Sequence, residues 1–236
     1  MQFKLIYVSL ILSMMSGMAH AGFAGFSGLT GFPSFMDISK GVGSGAIQSG
    51  ENNDVEKNVE AFLKIAGDVN ALMVKSSDVL FKAVATEEDI EAHDREVKAA
   101  TEIADPKERS AALRKAQDEE QVALANFDYA AKTKKMEKEM DKQKRQLIGA
   151  CIYNFILGML KDQLLMDIGN NWISSANSNP ITAPKFAPVK DVIASISSRM
   201  DKMTKIASGI RNLSAAVKLD NLPTSPSDTP MSTSVD

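Results

Sequence analysis

The chain has 236 residues, and its 27 Lys and Arg against 30 Asp and Glu give a formal net charge of -3. A balance so close to neutral excludes a molecule that binds nucleic acid or anionic membranes through its overall charge. The one cysteine, Cys151, excludes an intramolecular disulfide, and 13 methionines with few aromatic residues favour a helical protein.

Residues 1–21 have the pattern of a secretory signal peptide. Lys4 provides a short positive region, residues 5–12 are apolar, and Ala19 and Ala21 provide the small side chains of a cleavage site. The apolar run is far shorter than the roughly 20 residues of a membrane-spanning helix, which argues against a retained anchor. The pattern predicts export to the periplasm or beyond it.

Residues 22–50 open with four consecutive triplets that each begin with glycine. Glycine disfavours a stable isolated helix, so we expect this segment to be extended or irregular. The triplets carry four apolar side chains that need an apolar contact to leave water. We predict that these side chains bind a protein partner or a second copy of the chain: Phe23, Phe26, Leu29 and Phe32.

Residues 51–219 have the apolar spacing of a helical domain. The first helix is capped by Asn52 or Asn53, and apolar side chains follow at steps of four and three as far as Ala83. The last helix repeats this pattern from Val189 onward. Further apolar residues widen both stripes beyond a two-stranded seam, which favours positions in a helical bundle.

Two helix starts are predicted between these stripes. Thr86, with Asp89 three residues later, resembles a capping box and opens a polar second helix to about Ala104. Asp105 as cap and Pro106 at the first helical position open a third helix.

The third helix is predicted to be very long, because no turn signal follows Pro106 until Gly149. It either continues as one rod into the apolar segment or ends at Gly149 in a hairpin. Residues 170–188 are rich in Asn, Ser and Pro, which indicates a loop. Residues 220–236 have the composition of a disordered tail.

These patterns predict an all-α protein, an elongated helical bundle or coiled-coil-like, with a Gly-rich extended N-terminal segment and a disordered C-terminal tail. The predicted units are a signal peptide at 1–21, the Gly-Phe segment at 22–50, the helical domain at 51–219 and the tail at 220–236.

An apolar segment at residues 147–160 has no charged side chain, but it is too short for a bilayer span. On a helix its small side chains gather on one side, where another helix could approach closely. We predict that this segment uses a set of residues for helix packing or membrane contact: Ala150, Cys151, Asn154, Phe155 and Gly158.

The sequence offers little for catalysis or for cofactor, metal or nucleic-acid binding. His93 lies in an acidic stretch and is expected to be solvated, and apolar neighbours should raise the pKa of Cys151 and keep it inert. The basic run at 132–145 alternates with acidic residues and lacks aromatic side chains that stack on bases. We therefore expect no enzyme, no cofactor and no metal site.

Two function classes remain. The first is an exported, non-enzymatic structural or adapter protein that binds a protein partner or itself. The alternative is a membrane-active, pore-forming type of helical protein that inserts residues 147–168 on contact with lipid. A permanent span is disfavoured because the basic run at 132–145 would stay outside, which reverses the positive-inside pattern.

Overall fold

The computed structural model describes residues 52–176 and 183–233. Within these ranges the chain is helical without a β-strand, which confirms the predicted all-α class. The helices are α1 (Asn52–Val84), α2 (Glu87–Thr101), α3 (Pro106–Ala125), α4 (Tyr129–Glu139), α5 (Lys142–Ala176), a 3₁₀-helix (Ala183–Phe186) and α6 (Ala187–Ala216). The predicted signal peptide and Gly-Phe segment lie outside the described residues.

Two helix starts are capped as the sequence predicts. The Thr86 hydroxyl accepts a hydrogen bond from the Asp89 backbone N–H at 3.2 Å, and α2 begins immediately after Thr86. The Asp105 carboxylate accepts one from the Lys107 N–H at 2.8 Å, with Pro106 at the start of α3. Each cap satisfies a backbone donor that lacks a partner inside its helix.

The single long third helix does not form, and neither does a hairpin that ends at Gly149. The predicted rod is divided into α3, α4 and α5, and Gly149 lies inside α5. An aspartate stands at each new start: Asp128 accepts from the Ala130 N–H at 3.1 Å, and Asp141 accepts from the Lys144 N–H at 2.7 Å. Aspartate side chains bind helix-start backbone donors well, so two aspartates interrupt an otherwise helical pattern.

Helix α5 also continues into the predicted loop and ends only at Ala176. Trp172, which falls within the predicted loop, lies on α5 and is 1% exposed. Its ring lies 5.5 Å from that of Phe62 on α1 and 6.0 Å from that of Phe186, measured between centroids. Burial of this large side chain stabilises the last turns of α5 against the local preference for a loop.

The core is formed mainly where α5 packs between α1 and α6. On α1, the predicted stripe is buried from Val55 to Leu80, and Ala83 packs against its edge. Helix α2 packs on α3, and both α3 and α4 contact α6. The apolar periodicities of the first and last helices therefore identify the faces that meet α5.

Residues 220–233 do not form the disordered tail that their composition predicts. Lys218 adopts a left-handed conformation with φ 55°, and the Leu219 N–H donates to the Ser214 carbonyl at 2.9 Å. These features form a Schellman turn, which ends α6 and reverses the chain. Residues 217–233, called the C-terminal strap below, then run across α5. Composition misled the prediction because polar side chains of α5 bind the strap's backbone.

Candidate functional site

The predicted packing residues of α5 all make contacts inside this chain. Ala150, Cys151 and Phe155 are at most 2% exposed. Gly158 faces α1 so closely that a Cβ atom placed on it would overlap the Met73 side chain. Glycine therefore permits the close approach of α1 and α5 at this position, and a larger residue requires Met73 to move.

Asn154, the remaining member of this set, faces the C-terminal strap. Its side-chain amide donates to the Met231 carbonyl at 2.9 Å, and its side-chain oxygen accepts from the Met231 N–H at 2.8 Å. Asn154 is completely buried, whereas Met231 is 40% exposed. The contact thus uses the backbone of Met231 and leaves its side chain largely in solvent.

Lys161 provides a second contact to the strap backbone. Its ammonium group donates to the Pro226 carbonyl at 2.6 Å, and the residue is 2% exposed. Burial lowers the pKa of Lys161, while the negative charge of Asp228 opposes this shift. A buried ammonium needs such partners, so the strap provides part of what keeps Lys161 inside the fold.

The strap itself turns back along α5. Its first residues, Val217 and Leu219, lie near Gly149, and the chain then reaches Lys161 before it returns to Asn154. The Asp228 carboxylate stabilises the turn by accepting hydrogen bonds from two consecutive backbone N–H groups at 2.9 and 3.0 Å. We call the α5 surface marked by Gly149, Asn154 and Lys161 the strap site.

A partly buried ion pair joins three helices beside the strap site. The Arg199 guanidinium on α6 donates to Asp162 on α5 at 2.8 Å and to the Asn70 side-chain oxygen on α1 at 2.6 Å. Burial raises the pKa of Asp162, and the charge and hydrogen bond of Arg199 oppose that shift. The two hydrogen bonds of Arg199 therefore form a structural cross-link between α1, α5 and α6.

Asp78, His93 and Glu120 form a second polar cluster, called the triad below. They come from α1, α2 and α3, and one potential ligand atom of each lies within 4.8 Å of the other two. His93 Nε2 is 3.3 Å from Glu120 Oε2, and the two side chains are only 8% and 3% exposed. The predicted solvated histidine is therefore wrong: His93 packs on the Phe81 ring, with centroids 5.2 Å apart.

The surroundings of His93 favour its charged form. The hydrogen bond to Glu120 raises the pKa of His93, the negative charges of Glu120, Asp78 and Asp94 raise it further, and burial opposes them. Lys82 lies 3.0 Å from Asp78 Oδ1 and 3.4 Å from Asp94 Oδ1. The triad thus places an imidazole between two carboxylates, with the Lys82 ammonium group beside one of them.

Cys151 has the chemistry that the sequence predicts. It is 1% exposed, and burial raises the pKa of its thiol to about 12, with a smaller contribution from the negative charge of Asp78. A thiol with this pKa is almost entirely protonated near neutral pH, and the thiolate is the reactive form.

Sequence reasoning missed both the strap site and the triad. The place of Asn154 among small residues is visible in the sequence, but its partner Met231 lies in the segment whose composition predicts disorder. In the sequence His93 is a lone histidine, because its two carboxylate neighbours follow no local motif. One sequence signal does point to burial of His93. It lies in a helix with few apolar residues, and the side of that helix that packs on a neighbour must therefore include polar side chains.

Comparisons with protein-family models, with curated proteins and with solved structures found no match to this chain. In the described parts of the chain, no helix carries an apolar stretch long enough to cross a bilayer.

Proposed function

We propose that the protein is an exported, non-enzymatic structural or adapter protein whose elongated helical bundle binds extended polypeptide segments at the strap site. Its own C-terminal strap occupies that site within the chain. The Gly-Phe segment at 22–50 then provides a second contact, to a protein partner or to another copy, through Phe23, Phe26, Leu29 and Phe32.

The observation that carries this proposal is the paired hydrogen bond between Asn154 and the Met231 backbone. A side-chain amide that bonds both the N–H and the C=O of one residue recognises an extended chain with little demand on side-chain identity. Lys161 adds a backbone contact at Pro226. Such contacts suit a protein that holds a peptide segment in place.

The alternative is a pore-forming type of protein, which would have to insert residues 147–168 into lipid. This insertion has an energetic cost that binding a peptide at the strap site does not have. Insertion of 147–168 would remove Lys161 and Asp162 from their partners at Pro226 and Arg199 and place both in lipid. A charged side chain at the centre of a bilayer costs at least about 2.5–3.5 kcal/mol. In the folded chain the same segment already has its apolar side chains packed, because Ile152, Phe155 and Leu157 are 0% exposed.

The test of peptide binding uses a labelled peptide of residues 217–236 and fluorescence anisotropy. A chain that ends at residue 216, once its cooperative unfolding is verified, should bind the peptide with one-to-one stoichiometry. The intact chain should bind it more weakly, because the tethered strap competes at a high effective concentration. Asn154→Ala should weaken binding to the shortened chain, whereas the same substitution at the exposed Asn170 should not.

The test of export and membrane activity uses three further measurements. N-terminal sequencing of the exported fraction should begin at Gly22. The chain from Gly22 to Asp236 should sediment away from vesicles of phosphatidylcholine and phosphatidylglycerol in a flotation assay, and its mass in solution should report any self-association. Flotation with the vesicles would favour the membrane-active alternative, and equal peptide binding by the Asn154 and Asn170 variants would refute the proposed peptide site.

A further inference from the structure

We propose that Asp78, His93 and Glu120 bind a divalent transition-metal ion, of which Zn²⁺ is the best-matched example. The ion would join α1, α2 and α3 through one ligand from each helix. This inference is independent of peptide binding at the strap site, because the triad shares no residue with that surface.

The spacing of the donor atoms fits such an ion. In a tetrahedral zinc site with bonds of about 2.0–2.2 Å, neighbouring ligand atoms lie roughly 3.3–3.6 Å apart. His93 Nε2 and Glu120 Oε2 are already 3.3 Å apart, and all three donor atoms lie within 4.8 Å of one another. Binding therefore requires the ligand atoms to move together by about an ångström or slightly more.

Burial determines which ligands are fixed and where the ion enters. His93 and Glu120 are held inside the fold, and the Phe81 ring packs against the imidazole. The Asp78 side chain is 37% exposed, so it borders solvent and leaves a route to the site. Three protein ligands leave the fourth position of a tetrahedral ion to water.

Charge balance also fits a divalent ion. Asp78 and Glu120 provide two carboxylates, whose combined charge a divalent ion matches, and Lys82 now lies beside Asp78. Lys82 is 42% exposed and also contacts Asp94, so it can move to Asp94 when the ion takes its place beside Asp78.

The donor set selects the class of metal. One imidazole nitrogen and two carboxylate oxygens suit Zn²⁺ and its first-row neighbours. Ca²⁺ and Mg²⁺ prefer all-oxygen sites with six or more ligands, which these three side chains do not provide. Titration with ZnCl₂, MgCl₂ and CaCl₂ therefore separates a site of this chemistry from general attraction to acidic residues.

The experiment is isothermal titration calorimetry of the full chain, purified without a polyhistidine tag. We expect ZnCl₂ to bind with one-to-one stoichiometry. MgCl₂ and CaCl₂ should bind at least about 100-fold more weakly than ZnCl₂. Zinc should also raise the melting temperature of the full chain.

Matched variants locate the site. Glu120→Gln should weaken zinc binding by at least about 10–100-fold, whereas Glu119→Gln, the same change at the adjacent exposed position, should leave it unchanged. Asp78→Asn tests a partly exposed ligand and is expected to fold even if the buried Glu120 variant does not. Absence of zinc binding by the full chain, or equal binding by the Asp78 and Glu119 variants, would overturn the proposal and leave His93 and Glu120 as a structural ion pair.

Discussion

Asn154 on α5 and Met231 in the C-terminal strap are 77 positions apart in the sequence and are joined by two hydrogen bonds of 2.9 and 2.8 Å. We predict that Asn154→Ala destabilises the protein by roughly 1–3 kcal/mol, because each net hydrogen bond contributes about 0.5–1.5 kcal/mol. The loss should appear in urea unfolding and in faster amide hydrogen exchange across residues 217–231.

Asn170→Ala is the matched control for this prediction. Asn170 lies on the same helix but is exposed, so its substitution should change stability by no more than about 0.5 kcal/mol. Strap exchange that is equally slow in the two variants would show that the Asn154 contact does not hold the strap on α5.

The second prediction concerns Gly158 on α5, which faces the Met73 side chain of α1. Gly158→Leu should destabilise the protein by about 1–3 kcal/mol, because the added side chain overlaps Met73 and overpacks the core. Met73→Ala, combined with Gly158→Leu, should recover part of the loss by making room. Chemical unfolding of the single and double variants measures this coupling.

Gly67→Ala on α1 should have the opposite effect. A Cβ atom at Gly67 meets no neighbour within 4 Å, so alanine improves helix propensity and should stabilise the protein by about 0.5–1 kcal/mol. An unchanged free energy of unfolding in Gly158→Leu would contradict the close packing of α1 on α5, whatever the effect of Gly67→Ala.

These glycines also show what sequence reasoning could and could not predict. Apolar periodicity correctly identified the buried faces of α1 and α6, and local cap chemistry correctly placed the starts of α2 and α3. The position of Gly158 on a small-residue stripe was readable from its spacing, but its neighbour Met73 was not. Spacing along a helix reports which side is small and gives no information on which element fills it.

The failures have a common physical cause, which is that a long-range partner outweighed a local preference. The strap has a disordered composition, yet Asn154 and Lys161 bind its backbone. The loop pattern after residue 169 gave way to burial of Trp172. In the same way, the sequence around His93 predicts a solvated side chain, but Glu120 from a different helix is its buried partner.

The third prediction concerns the pH dependence that His93 confers on the metal-free protein. Its pKa is raised above the ordinary value of 6.5 by the hydrogen bond to Glu120 on α3 and by the negative charges of Glu120, Asp78 on α1 and Asp94 on α2, and burial opposes this shift. The resulting stabilisation is therefore fully present below pH 6.5 and is lost as pH rises through the folded-state pKa.

Urea unfolding in EDTA from pH 6 to 9 checks this sign. The free energy of unfolding should decrease with pH over this interval, and His93→Gln should remove that decrease while other titrations remain. A stability that increased across the same interval in the wild type and was flattened by His93→Gln would contradict a raised His93 pKa.

The fourth prediction concerns the partly buried pair between Asp162 and Arg199. Asp162→Asn should destabilise the protein by roughly 2–4 kcal/mol, because it leaves the guanidinium group without its anionic partner. We expect a value below that of a fully buried pair because the Arg199 side chain is 18% exposed. Asp167→Asn, at an exposed position of the same helix, is the control and should be nearly neutral.

A double-mutant cycle separates the pair from its surroundings. Combining Asp162→Asn with Arg199→Met should give a coupling energy of about 0.5–3 kcal/mol, as expected for residues in direct contact. Additive losses would mean that the two side chains act independently.

The last prediction concerns the four apolar side chains of the Gly-Phe segment, which lies outside the described residues. Replacement of Phe23, Phe26, Leu29 and Phe32 together by Ser should leave the melting temperature nearly unchanged and abolish self-association or partner capture. These four side chains lie in a glycine-rich segment that is not part of the apolar stripes of α1 and α6. We therefore expect them to be available to bind another apolar surface. Thermal unfolding, with the mass in solution by light scattering, measures both effects. A fall of many degrees in melting temperature would show that these residues pack inside the fold, and their proposed role in binding would then be withdrawn.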